Sequence, residues 1–220
     1  MRLFAVDYNI MLIKKKCLSF EEMLADYLPP KSLAEVCRLL MELQILLKIV
    51  PPRRTLQGSY RIPTAHQPHY ITINDKMNPY TFLITLLHEI AHAHAWTKHK
   101  TRGHQKDWKV CFGQLLTHFI QLEVFPADIK TALEKHIEKI TYCGSADINL
   151  SKILQKYDNN TSDSDSESIT LQEIPKDTVF SYGKTVFRKG EPLRKYIKCK
   201  NLSNNKTYRC HPLMMVKVIR

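Results

Sequence analysis

Histidine is concentrated in one short part of the sequence. His88, Glu89 and His92 form the pattern H-E-x-x-H, and His104 follows twelve positions later. Residues four apart on a helix share a face, so the first two imidazoles can both be directed at one metal ion. Glu89 lies beside that ion, where its carboxylate can take a proton from a zinc-activated water, whose pKa is about 7, as the water attacks a carbonyl. The spacing therefore indicates metal-assisted hydrolysis.

A catalytic zinc usually has three protein ligands and one open position, so a third ligand must follow the motif. The metzincin pattern would place Gly at position 95 and His at position 98, but the chain has Ala95 and Lys98. His104 is the better candidate, because Gly103 before it marks a loop that can fold back over the metal. Glu123 stays open as an alternative. The expected ligands of one zinc ion per chain are His88, His92 and His104.

The elements that must position these residues follow from apolar spacing and turn residues. Asn78-Pro79 predicts the start of the helix that carries the motif, since Asn caps a helix and Pro fits its first position. That helix is expected to run to Trp96. The same reasoning predicts four other helices and two strands. The helices are expected at 20–28, 31–49, 105–121 and 126–140, and the strands at 58–63 and 69–74, the second as a half-buried sheet edge.

The stretch "FLITLLHEIAHAHAW", followed by "RGHQKDW", resembles the SprT-like metallopeptidase domain of bacterial SprT proteins and eukaryotic Spartan proteases. That family has HExxH on a helix and a third zinc-binding histidine in a Gly-His element at the start of the next helix. The resemblance covers about residues 20–140. It implies an α+β fold, with a helical zincin-like core and a small antiparallel sheet, and a zinc peptidase in which Glu89 is the general base. The chain departs from the family in lacking paired CxxC motifs.

Composition changes along the chain predict four segments. These are an N-terminal extension at 1–16, the SprT-like domain at 17–148, an acidic flexible linker at 149–170 and a small, basic, all-β module at 171–220. The linker is predicted from "YDNNTSDSDSES", which has no apolar periodicity. The β module is predicted from short alternating runs separated by turn residues.

The C-terminal segment carries most of the positive charge. Residues 184–220 contain eleven Lys and Arg residues and one acid, a net +10 of the chain's formal +12. Alternation along strands would place cations on one face, which suits a phosphate backbone and favours non-specific, salt-sensitive binding of DNA. A solvated basic face without a partner is the alternative. The predicted nucleic-acid-binding residues are Arg188, Lys189, Arg194, Lys195, Lys198 and Lys200.

The six cysteines include no CxxC pair, and Cys37 and Cys111 lie in apolar stretches typical of buried free thiols. This usage indicates a reducing compartment, and with no signal peptide recognised we expect a cytoplasmic protein. No segment reaches the roughly 18 apolar residues of a membrane span, so no membrane partner is expected. A second zinc site stays open as an alternative, and its candidate ligands are Cys143, Cys199, Cys210 and His211.

Two functions are compatible with these patterns. The first is a zinc metallopeptidase whose protein substrates are bound or crosslinked to DNA, as the basic tail and the family resemblance imply. The second is a non-catalytic nucleic-acid-binding protein with a structural zinc, whose fourth ligand would be a residue such as His94 or Cys111. Glu89 favours the first, because a structural site needs no carboxylate beside the ion. The sequence does not indicate an oligomeric state.

Overall fold

The computed structural model describes residues 2–4, 20–53, 56–138, 140, 148–158, 168–194 and 196–219. The chain forms two compact units, one of residues 1–144 with 153–158 and one of residues 145–152 with 159–220. Helices and strands occur together in the first unit, and the second unit contains a separate β-sheet. The predicted α+β class with a C-terminal β module is therefore confirmed.

The first unit contains four strands and five α-helices among its described residues. In chain order they are β1 (Arg2–Phe4), α1 (Phe20–Leu24), α2 (Leu33–Glu42), β2 (Ile45–Val50), β3 (Gly58–Arg61), β4 (His69–Asn74), α3 (Pro79–His99), α4 (Lys106–Gln121) and α5 (Ala127–Glu138). A 3-10 turn at Pro30–Ser32 precedes α2, and α6 (Ile148–Gln155) crosses the boundary between the units.

The sheet of the first unit has the order β1-β2-β4-β3. β2 and β4 are parallel, whereas β1 pairs antiparallel with β2 and β3 pairs antiparallel with β4. The small sheet was expected to be antiparallel throughout, and its mixed character corrects that expectation. The prediction of β4 as a half-buried edge was also wrong, because β4 lies between two partners and β3 forms the edge.

Strand β2 takes the place of the C-terminal part of a predicted helix. The helix expected at 31–49 ends at Glu42, and Gln44 has a positive φ of 51°. Residues 45–50 alternate between buried and half-buried, as expected for a strand with one face on the core. The error has a simple origin, because Ile45–Val50 is apolar at every position except Lys48, and a continuous apolar run fits a buried helix as well as a strand.

Helix α3 begins as predicted. Asn78 is its N-cap and accepts a hydrogen bond from the Thr81 amide at 2.9 Å, and Pro79 occupies the first helical position. The helix ends at His99, and Lys100 follows it with a left-handed φ of 53°. α3 packs against α4, β3 and β4, so most of its circumference is covered. The helix that carries the motif is therefore a core helix.

Two of the predicted segments contain regular secondary structure. Residues 2–4 of the predicted N-terminal extension form β1 on the edge of the first sheet, while residues 5–19 lie outside the described part of the chain. The predicted acidic linker begins with the helix α6, whose Leu150 and Leu154 are buried. An apolar residue at every fourth position gives that helix a buried side. Residues 159–167 of the linker lie outside the described residues.

The sheet of the second unit has six strands in the order β5-β10-β6-β7-β8-β9, all paired antiparallel. These are β5 (Ser168–Thr170), β6 (Val179–Tyr182), β7 (Thr185–Pro192), β8 (Ile197–Asn201), β9 (Thr207–Cys210) and β10 (Met215–Val218). One face of the sheet covers a compact apolar core. Its buried members are Leu171, Ile174, Phe180, Ile197, Cys199, Cys210 and Val216.

Within the described residues, no helix is both long enough and apolar enough to cross a membrane. The cysteines Cys37 and Cys111 are buried free thiols, as their apolar surroundings in the sequence predicted.

Asn78 is expected to stabilise the first unit through more than its cap. Its amide group also donates to the Leu154 carbonyl at 3.0 Å and to the Asp158 carboxylate at 2.6 Å. Asn78→Ala removes all three bonds and should lower the free energy of unfolding by about 2 kcal/mol in denaturant titrations. Asn78→Asp keeps the cap but replaces the donor with a carboxylate facing Asp158. A stability of Asn78→Asp equal to the wild type would show that only the cap matters.

Candidate metal centre

Two successive helices bring the motif histidines together. His88 and His92 lie one turn apart on α3, and His104 lies in the connection to α4, directly after Gly103. Gly103 has a φ of 69°, a left-handed conformation that side chains disfavour, and it turns the chain back towards α3. The predicted loop therefore returns to the helix and delivers the third imidazole.

The three imidazoles meet through their Nε2 atoms. The Nε2 atom of His104 lies 2.9 Å from that of His88 and 3.2 Å from that of His92. All three nitrogens are within 4.8 Å of one another. Nitrogens that share a tetrahedral zinc at about 2.0–2.1 Å are about 3.3 Å apart, so this triangle fits such an ion. The three predicted ligands are thus brought together as a possible metal site.

The alternative ligands do not join this cluster. Within the described residues, His88, His92 and His104 are the one group of three or more His, Cys, Asp or Glu side chains close enough to hold a metal ion. This excludes Glu123 as an additional member, together with His94 and Cys111 as a fourth protein ligand. Among the described residues the cluster thus has three protein donors, the number that catalytic zinc sites use.

Burial keeps the imidazoles of α3 neutral. Desolvation, followed by the neighbouring histidines, lowers the pKa of His88 to about 3, and desolvation and His104 lower that of His92 to about 4. Desolvation also lowers the pKa of His104. A metal binds the neutral form of imidazole, so these histidines need not lose a proton to bind an ion at neutral pH.

Trp108 supports the cluster from α4. Its side chain is fully buried, and its indole Nε1 donates to the backbone carbonyl of His88 at 3.3 Å. Its ring lies against all three imidazoles, with centroid distances of 4.6 Å to His88, 5.3 Å to His92 and 4.4 Å to His104. Trp108 was not predicted as part of the site. Its place on the buried side of an amphipathic helix, four residues after His104, is the signal that could have identified it.

Glu89, the predicted general base, is 6% exposed. Burial raises the pKa of its carboxyl group to about 8, and the positive charge of Arg53 opposes that rise. Arg53 follows β2, and its guanidinium donates to the Asn74 and Thr72 side chains of β4 at 2.9 Å each. The carboxyl group thus lies in a dry environment next to the histidine cluster, with one guanidinium contributing to its electrostatics.

The edge strand β3 approaches Glu89 very closely. A Cβ atom placed on Gly58 would lie 2.7 Å from the Glu89 Oε1 atom and 2.9 Å from the Thr85 Cγ2 atom. Both distances are shorter than non-bonded carbon contacts allow. Glycine is therefore required here for close approach of strand and helix rather than for its backbone angles. No local sequence pattern signals this contact, which joins residues more than 25 positions apart.

Two residues further along the same strand, Tyr60 lies over His92. The two rings are nearly parallel, with an interplanar angle of 8° and centroids 5.7 Å apart. The Tyr60 hydroxyl is hydrogen-bonded to the His69 Nδ1 atom at 2.8 Å, and the His69 Nε2 atom lies 3.3 Å from the Thr97 hydroxyl. β3 thus presents alternate residues to α3, first at the carboxylate and then at an imidazole.

The predicted nucleic-acid-binding residues fall into different environments. Arg188, Lys198 and Lys200 are exposed on strands of the second unit, and Arg194 is exposed between β7 and β8. Lys195 lies outside the described residues. The prediction that Lys189 faces a nucleic acid is corrected, because this residue is only 8% exposed. Its ammonium group donates to the backbone carbonyls of Gln172 and Ile174.

Lys189 faces inward because successive residues of a strand point to opposite faces. Its neighbour Arg188 points outward, so the two cations could not both project from the outer face of the sheet. Burial lowers the pKa of the Lys189 ammonium group. The cysteine alternative for a second zinc also gains no support from the described residues, since Cys199 and Cys210 are buried free thiols and join no three-ligand group. Cys143 lies outside the described residues.

Comparison of the chain with protein-family models, with curated proteins and with solved structures found no match. The resemblance to SprT-like domains therefore rests on the motif residues of this chain alone.

The contact between β3 and Glu89 predicts the effect of a single methyl group. Gly58→Ala should displace the Glu89 carboxylate and lower the free energy of unfolding by about 1–3 kcal/mol, as overpacking does. In a Glu89→Ala background the loss should be smaller, because two of the three close contacts disappear. The test is a double-mutant cycle by denaturant unfolding of the metal-free protein. Additive losses would show that the strand does not press on this carboxylate.

The buried histidines predict a pH dependence of stability in the metal-free protein. The pKa of His88 is about 3 when folded, against about 6.5 when unfolded, so below pH 6.5 the unfolded chain takes up a proton that the folded chain does not. Its contribution to stability is complete above pH 6.5 and falls progressively towards pH 3. His88→Gln should reduce proton uptake on unfolding at pH 5 by about one.

Unfolding free energies measured between pH 7 and pH 4 give this proton number directly, and the exposed His99 provides the control through His99→Gln. Equal slopes for wild type and His88→Gln would contradict the assignment of a buried, neutral His88.

Proposed function

We propose that this protein is a zinc-dependent metallopeptidase. The observation that supports it most directly is the convergence of the three Nε2 atoms of His88, His92 and His104, with Glu89 buried beside them. Three neutral imidazoles suit a catalytic zinc, which usually has three protein ligands, and a neighbouring carboxylate suits its general base. A family resemblance based on the same residues supports a SprT-like, zincin-like core for the first unit.

The residues of the chain have separate roles in the proposed reaction. His88, His92 and His104 would hold the zinc, which when bound supplies Lewis acidity that acidifies a water molecule and polarises a peptide carbonyl. Glu89 would accept a proton from the attacking water on a carboxylate oxygen and pass it to the nitrogen of the leaving amine. A pKa near neutrality, as burial produces for Glu89, suits a group that must both accept and donate a proton.

The position of Glu89 depends on its neighbours. Its Oε1 atom would lie 2.7 Å from a Cβ atom on Gly58, so the strand β3 limits the space in which the carboxylate can move. Arg53 favours the ionised form, which is the form that accepts a proton. Preorganisation of this kind is what general-base catalysis requires, since the base must be within reach of the proton it removes.

We also propose that the protein substrates are bound or crosslinked to DNA. The support is the net +10 carried by residues 184–220, together with the family resemblance. Such charge favours non-specific association with a polyanion, which would hold the peptidase near proteins on the same DNA.

A structural zinc in a non-catalytic nucleic-acid-binding protein is the second candidate. It would require a fourth protein ligand, and none joins the cluster within the described residues. It also leaves the buried carboxyl group of Glu89 without a use, although burying such a group is costly. Both observations favour the peptidase.

Zinc content and cleavage test the proposal separately. Wild type should contain one zinc per chain by elemental mass spectrometry, and His104→Ala should lose most of it, whereas the matched His99→Ala should retain it. Glu89→Gln should keep the zinc and lower the rate of cleavage of a denatured protein substrate by at least about 100-fold, the usual contribution of a general base. Full zinc content in His104→Ala would refute the proposed ligand set. Undiminished cleavage by Glu89→Gln would refute the proposed base.

A further inference from the structure

The outer face of the second unit's sheet has an unusual arrangement of cations. Directly opposite residues on neighbouring strands point to the same side of a sheet. Arg188 on β7 is opposite Lys200 on β8, and Lys198 on β8 is opposite Arg209 on β9. Lys198 and Lys200 are two residues apart and share a face, so all four side chains project from one side of the sheet. We refer to Arg188, Lys198, Lys200 and Arg209 as the cation ladder.

The opposite side of the same strands is occupied by the core. Along β8 the buried residues Ile197, Cys199 and Asn201 alternate with the two exposed lysines. Arg188 and Arg209 are exposed as well. The strand geometry therefore fixes the cation ladder on the outer face, and the side chains cannot turn to the other side without a one-residue shift in register.

This arrangement opposes folding unless an anion is present. Like charges directly across a sheet, with Cβ atoms about 4.5–5.5 Å apart, are destabilising. The cation ladder contains two such pairs, and among the described residues no carboxylate forms an ion pair with any of its members. The carboxylates of Glu173 and Glu191 instead pair with Lys152 and Lys176. The repulsion is thus left uncompensated in the described part of the chain.

From this we infer that the cation ladder is a binding surface for the phosphate backbone of DNA. The cations repeat at fixed intervals, about 6.6 Å along a strand and about 4.8 Å between strands, on a sheet that holds them in place. A nucleic acid presents its phosphates at regular, fixed spacing, whereas anionic lipids diffuse freely and need no ordered array of cations. Contacts to phosphates carry no base information, so binding is independent of sequence.

The cation ladder rests on the proposed association with DNA, and its residues differ from the DNA-binding residues predicted from the sequence. Lys189, buried beneath the sheet, is excluded from the surface. Arg209, which the sequence analysis did not select, belongs to it through its register with Lys198. Binding at this face requires neither zinc nor Glu89, so the inference and the proposed peptidase activity can fail independently.

The test compares two double variants of the full chain that remove the same charge. Lys198→Ala/Lys200→Ala takes two cations from the ladder, and Lys184→Ala/Lys206→Ala takes two exposed cations from the turns at one end of the sheet. Binding to a fluorescent 20-base-pair duplex is measured by anisotropy at several salt concentrations. The ladder variant should bind about tenfold or more weakly and lose about two units of the salt slope, because two phosphate contacts are gone.

The turn variant should bind with the affinity and salt slope of the wild type. Thermal unfolding checks that the ladder variant folds, and its midpoint should be no lower than that of the wild type, since the substitution relieves two like-charge contacts. Equal losses of DNA affinity in both variants would show that only the net charge matters, and this would overturn the inference. It is also overturned if the ladder variant keeps its DNA affinity and instead loses binding to vesicles of phosphatidylserine and phosphatidylcholine in equal parts.

Discussion

Desolvation of ionisable groups along one helix is the constraint on which the rest of the first unit depends. α3 is covered by another helix and by two strands, yet the motif residues His88, Glu89 and His92 lie on or near its covered faces. Burial lowers the pKa of these two imidazoles and raises that of the carboxyl group. Such a helix is tolerated only when its polar groups have specific partners. The returning connection brings the His104 imidazole to those of His88 and His92, and the ring of Trp108 lies against all three. The edge strand β3 packs against Glu89.

Strand β3 has a larger role than its four residues suggest. Alternate residues of a strand face the same side, and the two that face α3 are Gly58 and Tyr60. The first permits close approach to Glu89, and the second covers the ring of His92. A single short strand therefore influences both the proposed base and one proposed ligand. Its own position is set by antiparallel pairing with β4 and by the side chain of Asn74, which donates to the Leu56 carbonyl just before the strand.

Local signals in the sequence were sufficient for the histidine cluster and for the helices around it. Spacing of four residues, an Asn-Pro start and a Gly-His turn are all contained within about 30 positions, and each has a direct physical reading. The strand β2 was missed because its nearly continuous run of apolar residues fits a buried helix as well as a strand. Contacts between distant parts of the chain, such as Gly58 with Glu89, left no local pattern. Lys189 differs, since strict alternation with Arg188 already required one of the two to point inward.

The connection between α3 and α4 gives the histidine cluster a thermodynamic consequence. His104 is 16 residues from His88, so a ligand that joins their imidazoles closes a short loop between two packed helices. A ligand that binds only the folded chain stabilises it by about 1.4 kcal/mol for each tenfold excess over its dissociation constant. Binding of such a ligand to the imidazoles and packing of α4 onto α3 therefore stabilise each other. The free concentration of that ligand becomes a determinant of how firmly the two helices stay together.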